Sequence, residues 1–228
     1  MISKRNDKVK FGIIALYMGL GSIVVPPFLL HVRYRLYLFM VLQIFSWIIP
    51  FFMALKIEKN KIDSLGIVFQ RERLSSYFIY SIIGFIIMTL LLGFEITGRI
   101  YLAGESSEKI FSYRSNLLVA LLIQLGGVGL PEELFFRGYL MTRFCRWLGN
   151  SRGLWLNCLV FGLVHVTSRV SQFGFGYSLS ALLIGIQAFF AGLIFGIQYL
   201  KTKSIFPPVM THIALNMFSV RILALILG

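Results

Sequence analysis

Three uninterrupted runs of twenty residues without a charge, Phe11–Leu30, Leu36–Leu55 and Ser75–Phe94, constrain this chain more than any other feature of its sequence. At a helical rise of ~1.5 Å per residue each is long enough to cross a hydrocarbon layer of ~30 Å. Inside that layer a backbone finds few partners beyond its own helical hydrogen bonds. Composition agrees, because 57% of the 228 residues are hydrophobic, only 14% are charged, and the mean hydropathy is +0.82. That leaves too little polar surface to cover a water-soluble domain. The first run follows Lys4, Arg5, Lys8 and Lys10, as the core of a signal peptide would. It exceeds the roughly 7–15 apolar residues of such a segment and lacks a small-residue cleavage site, so it reads as a retained helix.

The second half is less uniform. A fourth apolar segment begins near Ser115, is loosened by Gly126, Gly127 and Gly129, restarts at Pro131 and runs to Phe144. Proline suits a first helical turn, where its missing N–H is no loss. A fifth segment, Gly153–Thr167, is short for a span and is expected to be held inside the bundle or extended by its neighbours. Tyr177–Leu200 forms the sixth, and the seventh starts at Pro207–Pro208 and continues to Leu227. The expected fold is all-α, a polytopic transmembrane helical bundle of about seven spans, with six to eight as the range. Residues 1–114 are expected to supply three helices, joined by the polar connections Lys56–Leu74 and Glu95–Arg114, and residues 115–228 a helical core that holds the polar motifs. The sixth span carries Ala188, Gly192 and Gly196 at four-residue spacing, a stripe that lets another helix approach closely.

A net charge of +13 would suggest nucleic acid for a soluble protein, but here the basic residues sit in short connections between apolar runs. With seven spans, fourteen lysines and arginines fall on the side of the N-terminus and six on the other, leaving Arg137 and Arg221 inside spans. The asymmetry places the N-terminus in the cytoplasm and the chain in the cell membrane, with lipid and not nucleic acid around it. Two cysteines, Cys145 and Cys158, make neither a disulfide framework nor a zinc ribbon.

Charge inside hydrocarbon costs roughly 2.5–3.5 kcal/mol per residue on insertion scales, so ionisable residues there are rare and tend to be functional. This chain concentrates them: Glu132, Glu133 and Arg137 in the fourth span, His165 in the fifth, and His212 with Asn216 in the seventh. Glu133 and Arg137 are four apart with the acid first, the orientation in which two side chains on one helical face pair best. Glu132 is rotated by about 100° from Glu133 and is the freer carboxylate, placed to act as a general base on water together with His165. Phe161 lies four residues before His165, on the same face. His212 and Asn216 repeat that spacing, and an imidazole with a carboxamide presents two donors to one point, as a developing oxyanion requires.

These residues resemble the CPBP (CAAX protease and bacteriocin-processing, or Abi) family of intramembrane proteases. Pro131 to Gly138 is similar to its EExxxR motif, Phe161 to His165 to its FxxxH motif, and His212 to Asn216 to its HxxxN motif, in the same order. The stretch Phe190–His212, with Gly192, Gly196, Thr202, Ser204, Ile205 and Pro208, is similar to the segment that precedes the last motif. The resemblance covers Pro131–Asn216, while the N-terminal 110 residues match only in being hydrophobic. Similarity to the type II CAAX prenyl proteases implies that Glu132 and His165 activate water, that His212 and Asn216 stabilise the oxyanion, and that Glu133, Arg137 and Phe161 support the site. It implies a peptide or protein substrate, in CAAX-type cleavage, leader-peptide processing or bacteriocin self-immunity. No cofactor is expected, although Glu132, His165 and His212 are residue types that ligate Zn²⁺, so a zinc-dependent protease is the alternative chemistry. A non-catalytic immunity or scaffold protein is the alternative function. A transporter would be expected to show helices broken in both halves, and only the Gly126–Pro131 region looks broken.

Overall fold

The computed structural model describes residues 2–29, 44–45, 47–111 and 116–227, with side chains except at residues 2–5, 25–29 and 227. Residues 30–43 and 46, which include much of the expected second span and Arg33 and Arg35, lie outside the described residues, as do Arg114 and Ser115. Every regular element described is helical. The principal helices are α1 (Ile2–Leu29), α2 (Trp47–Ile57), α3 (Leu74–Tyr101), α4 (Leu117–Leu148), α5 (Asn150–Phe173), α6 (Ser178–Thr202) and α7 (Phe206–Ile226). Helices α3 to α7 are long and apolar enough to cross a membrane.

Helix α3 shows why lipid is the matching solvent. Its outward side carries Ile79, Ile82, Ile83, Ile86, Leu90 and Phe94, whereas Ser81, Gly84 and Glu95 are buried. Water would drive the first set inward; a bilayer has no such preference, so helices associate through close packing and polar contacts. Gly84 makes room for both: a Cβ there would stand 2.1 Å from the Gln198 amide nitrogen. That amide donates to the Tyr80 carbonyl at 2.7 Å and to Thr211 Oγ at 2.8 Å, tying α3, α6 and α7 together.

Two boundaries differ from the sequence expectation, for the same physical reason. Helix α3 continues past Phe94 through Glu95, and α5 spans 24 residues instead of the short Gly153–Thr167. In both cases the charge that looks like a terminator is neutralised. Glu95 bonds Arg99 at 3.2 Å, Arg99 bonds Glu105 at 2.6 Å, and Arg169 reaches Glu105 at 3.2 Å while lying over the Phe173 ring. Burial favours the neutral Glu105 carboxyl, but hydrogen bonding and attraction from Arg99, with Arg169, outweigh it and hold its pKa at about 2.

Helices α5 and α6 run antiparallel with their backbones nearly touching. Leu154, Cys158, Gly162 and Val166 on α5, each four residues apart, face Gly196, Gly192, Phe189 and Gly185 on α6. A Cβ on Gly196 would come 2.2 Å from Leu154, and one on Gly185 would come 2.1 Å from Val166. The small-residue stripe therefore packs α6 on α5, with Ala188 buried along it. Helix α1 uses the same device, presenting Gly12 to Trp147 of α4 and Gly19 to Val160 of α5.

Between α2 and α3 a short connection folds under α4. Glu58 and Arg143 pair at 2.8 Å with side chains 1% exposed, and Arg143 also donates to the carbonyls of Ser64 and Gly138. The Leu65 carbonyl sits where a Cβ on Gly138 would be, 2.7 Å away. Glycine at 138 is what allows this connection to lie directly against the motif-bearing helix.

Candidate active site

Helix α4 is broken at Gly127 and Val128 and restarts at Gly129, two residues before the expected Pro131, which falls within the first turn. The Trp47 indole donates to the Gly126 carbonyl at 2.8 Å, satisfying one acceptor that the break frees. Beyond Glu133 the helix widens into π geometry over Leu134–Met141, and α7 does the same over Leu215–Ser219. Such turns are uncommon and recur at functional sites. Asn157 of α5 donates to the Phe136 carbonyl inside the first of them, at 3.0 Å.

Glu133 and Arg137 pair as their spacing predicts, with Nη1 to Oε1 at 3.0 Å and both side chains fully buried. The same Oε1 lies 2.9 Å from His212 Nδ1, a contact across 79 residues of sequence that the spacing of neither motif reveals. Because that oxygen only accepts when ionised, Nδ1 carries the proton and Nε2 is the free nitrogen of His212. The Arg137 guanidinium lies 4.1 Å from the centroid of Phe161 and 5.0 Å from that of Phe195. Phe195, 1% exposed, also stacks on the His212 ring at 5.2 Å and 22°.

His165 packs on Phe161, with ring centroids 4.5 Å apart, and its Nδ1 donates to the Phe161 carbonyl at 2.8 Å. A carbonyl only accepts, so a neutral His165 keeps its lone pair on Nε2. The ring lies in the electrostatic field of Glu132, His212 and Arg137. Glu132 is half-buried, its Oε2 is shielded from solvent, and that oxygen has no hydrogen-bond partner in the protein. Asn216 is exposed, and its Nδ2 donates to Gln124 Oε1 at 2.9 Å.

The structure thus brings Glu133, Arg137, His212 and Phe161 into one contact set, with Phe161 carrying His165. It makes no direct hydrogen bond between Glu132 and His165, or between Asn216 and His212. No three His, Cys, Asp or Glu side chains among the described residues are placed to hold a metal ion, so Glu132, His165 and His212 do not fit the zinc alternative. Two participants escaped the sequence. Gln124 left a faint signal, as the one polar side chain in the apolar run Leu117–Gly126. Phe195 left none, being one of 22 phenylalanines.

Fold and site together define a multi-span membrane protein with acid, guanidinium and imidazole groups buried among its helices. Residues 114–218 match the family described as Type II CAAX prenyl endopeptidase Rce1-like, so this part of the chain is a domain of the CPBP type. That family is one of membrane endopeptidases. No curated protein and no solved structure matches the chain.

Proposed function

We propose that the chain hydrolyses a peptide bond of a membrane-associated peptide or protein, with Glu132 and His165 activating water and His212 and Asn216 receiving the oxyanion. The observation that carries this reading is the unpartnered Oε2 of Glu132, beside a histidine whose Nδ1 is already committed. A buried acceptor left without a partner costs about 1–3 kcal/mol, and a water bound between Glu132 and His165 Nε2 would relieve it. Glu132 removes a proton from that water as it attacks the scissile carbonyl, His165 orients it, and the proton held by Glu132 passes to the amine as the C–N bond breaks.

His212 donates from Nε2 to the developing oxyanion when the ring carries both protons. Glu133, 2.9 Å from Nδ1, holds the opposite edge of the ring. Asn216 keeps one Nδ2 hydrogen on Gln124 and has the second for the oxyanion. Such donors are each worth roughly 2.7–4 kcal/mol of transition-state stabilisation.

The orientation that fits the charge asymmetry places the N-terminus in the cytoplasm of a cell-membrane protein. CAAX-type cleavage, leader-peptide processing and bacteriocin self-immunity each fit this reading. Mass spectrometry of membrane peptides from cells expressing the parent or Glu132→Gln tests the reading. We expect cleavage products confined to the parent, with the variant inserted and folded. Identical peptide sets would remove Glu132 as the base and leave a non-catalytic membrane protein as the better reading.

A further inference from the structure

We infer that Phe195, on a helix that bears none of the three motifs, is a positioning residue that fixes the plane of the His212 ring and the place of Arg137 together. The inference rests on the proposed role of His212 in receiving the oxyanion.

The geometry explains why a second restraint is needed. A hydrogen bond from His212 Nδ1 to Glu133 sets one point of the imidazole but leaves the ring free to swing about the N···O line. Swinging carries Nε2, the nitrogen on the far side, through an arc. The Phe195 ring, nearly parallel at 22° and 5.2 Å, removes that freedom. The same ring lies 5.0 Å from the guanidinium of Arg137, the other cation on Glu133 Oε1. Both groups that compete for one carboxylate oxygen therefore rest on one aromatic surface. Arg137 has Phe161 as well, at 4.1 Å, which links the ring that carries His165 to the ring that holds His212.

Phe195 reaches this place because Gly192 and Gly196 bring α6 against α5. A Cβ at Gly192 would lie 3.2 Å from the Cys158 backbone and 3.6 Å from Arg137 Nη2, so a larger residue would push α6, and Phe195 with it, off the guanidinium. The face of a phenyl ring attracts a cation through its quadrupole. That attraction holds the Arg137 guanidinium against the same face on which the His212 ring rests.

Two measurements test this on the full-length protein in membranes. The first needs no substrate: the Cε1–H resonance of His212 should be shifted upfield by the adjacent ring, and Phe195→Leu should return it to its ordinary position while the His165 resonance stays put. An unmoved His212 resonance would overturn the stacking. The second replaces Phe195 with progressively fluorinated phenylalanines, which keep the shape and drain the quadrupole, and follows the peptides that the parent cleaves and Glu132→Gln does not. We expect kcat to fall in graded steps by about three- to tenfold with KM unchanged, as a cation–ring contact of this size implies. The same series at Phe144, buried but resting on no guanidinium or imidazole among the described residues, should be flat. A flat response at Phe195, or equal slopes at both positions, would refute the inference even if His212→Ala is inactive. Full activity in His212→Ala would instead remove the oxyanion role on which it rests.

Discussion

Replacing Glu133 with alanine should destabilise the protein more than any other single change at the site. Arg137 is fully buried, Glu133 is its one ion-pair partner among the described residues, and its Nε and Nη2 already lack hydrogen-bond partners. Breaking a buried pair by removing one member costs about 3–5 kcal/mol, because the other charge stays in a medium that cannot solvate it. For a chain of this length each kcal/mol moves the melting temperature by about 2–4 °C, so the variant should melt roughly 6–20 °C below the parent. Arg137→Met should cost less, about 1–3 kcal/mol, because Glu133 keeps its 2.9 Å bond to His212. The double variant Glu133→Leu with Arg137→Met removes both charges and should recover most of the loss, yet stay inactive, since His212 no longer has an Nδ1 partner. Cys158 is wholly buried and carries a free thiol, so in a background where the partly buried Cys145 is replaced by serine a thiol-reactive fluorogenic dye reports unfolding. If Glu133→Ala melts within about 2 °C of the parent, or if the double variant is less stable than either single one, the buried pair is not holding the site together.

Three further outcomes can be read with the same melts or with activity. Gly138→Ala drives a Cβ to 2.7 Å from the Leu65 carbonyl, a backbone atom with little room to yield, and should lower stability by about 1–3 kcal/mol. Trp47→Phe removes the bond to the Gly126 carbonyl; a loss of about 0.5–1.5 kcal/mol and faster amide exchange confined to the break after Gly126 are expected. The Glu105 carboxyl is held at about 2, below its ordinary 4.5, so it contributes stability above 4.5 that is lost as pH falls through about 2. The gap in melting temperature between the parent and Glu105→Gln should be constant near neutrality and close between those two values, and a gap that widens in acid would contradict the assignment.

What the sequence made legible was what a single helix decides. Four-residue spacing put Arg137 opposite Glu133 and Phe161 against His165, and the small-residue stripe gave α6 its close-packed face. Contacts between helices were not legible, because Glu133 and His212 meet only after α4, α5, α6 and α7 have packed, and no local pattern encodes that meeting. Phe195 belongs to the same class. The helix ends misjudged at Glu95 and Thr167 share a cause: a charge interrupts an apolar run unless a distant partner neutralises it, and Arg99, Glu105 and Arg169 find each other only in the folded chain. The π turns were equally invisible, since their wider winding leaves the sequence no less helical in composition.

Those wide turns have a consequence for how the chain tolerates changes of length. A π segment holds more residues per turn than an α-helix, so shortening Leu134–Met141 by a single residue would let it tighten into ordinary winding without breaking the helix. The tighter winding would take up most of the lost residue, leaving the turns beyond it close to their original phase. A deletion after Arg137 would therefore leave Glu132 and Glu133 where they are and keep Arg143 on the side of Glu58, with the reactive end of α4 still tied to its anchor. The same deletion in an ordinary α-helical stretch would turn everything beyond it by about 100° and break that tie.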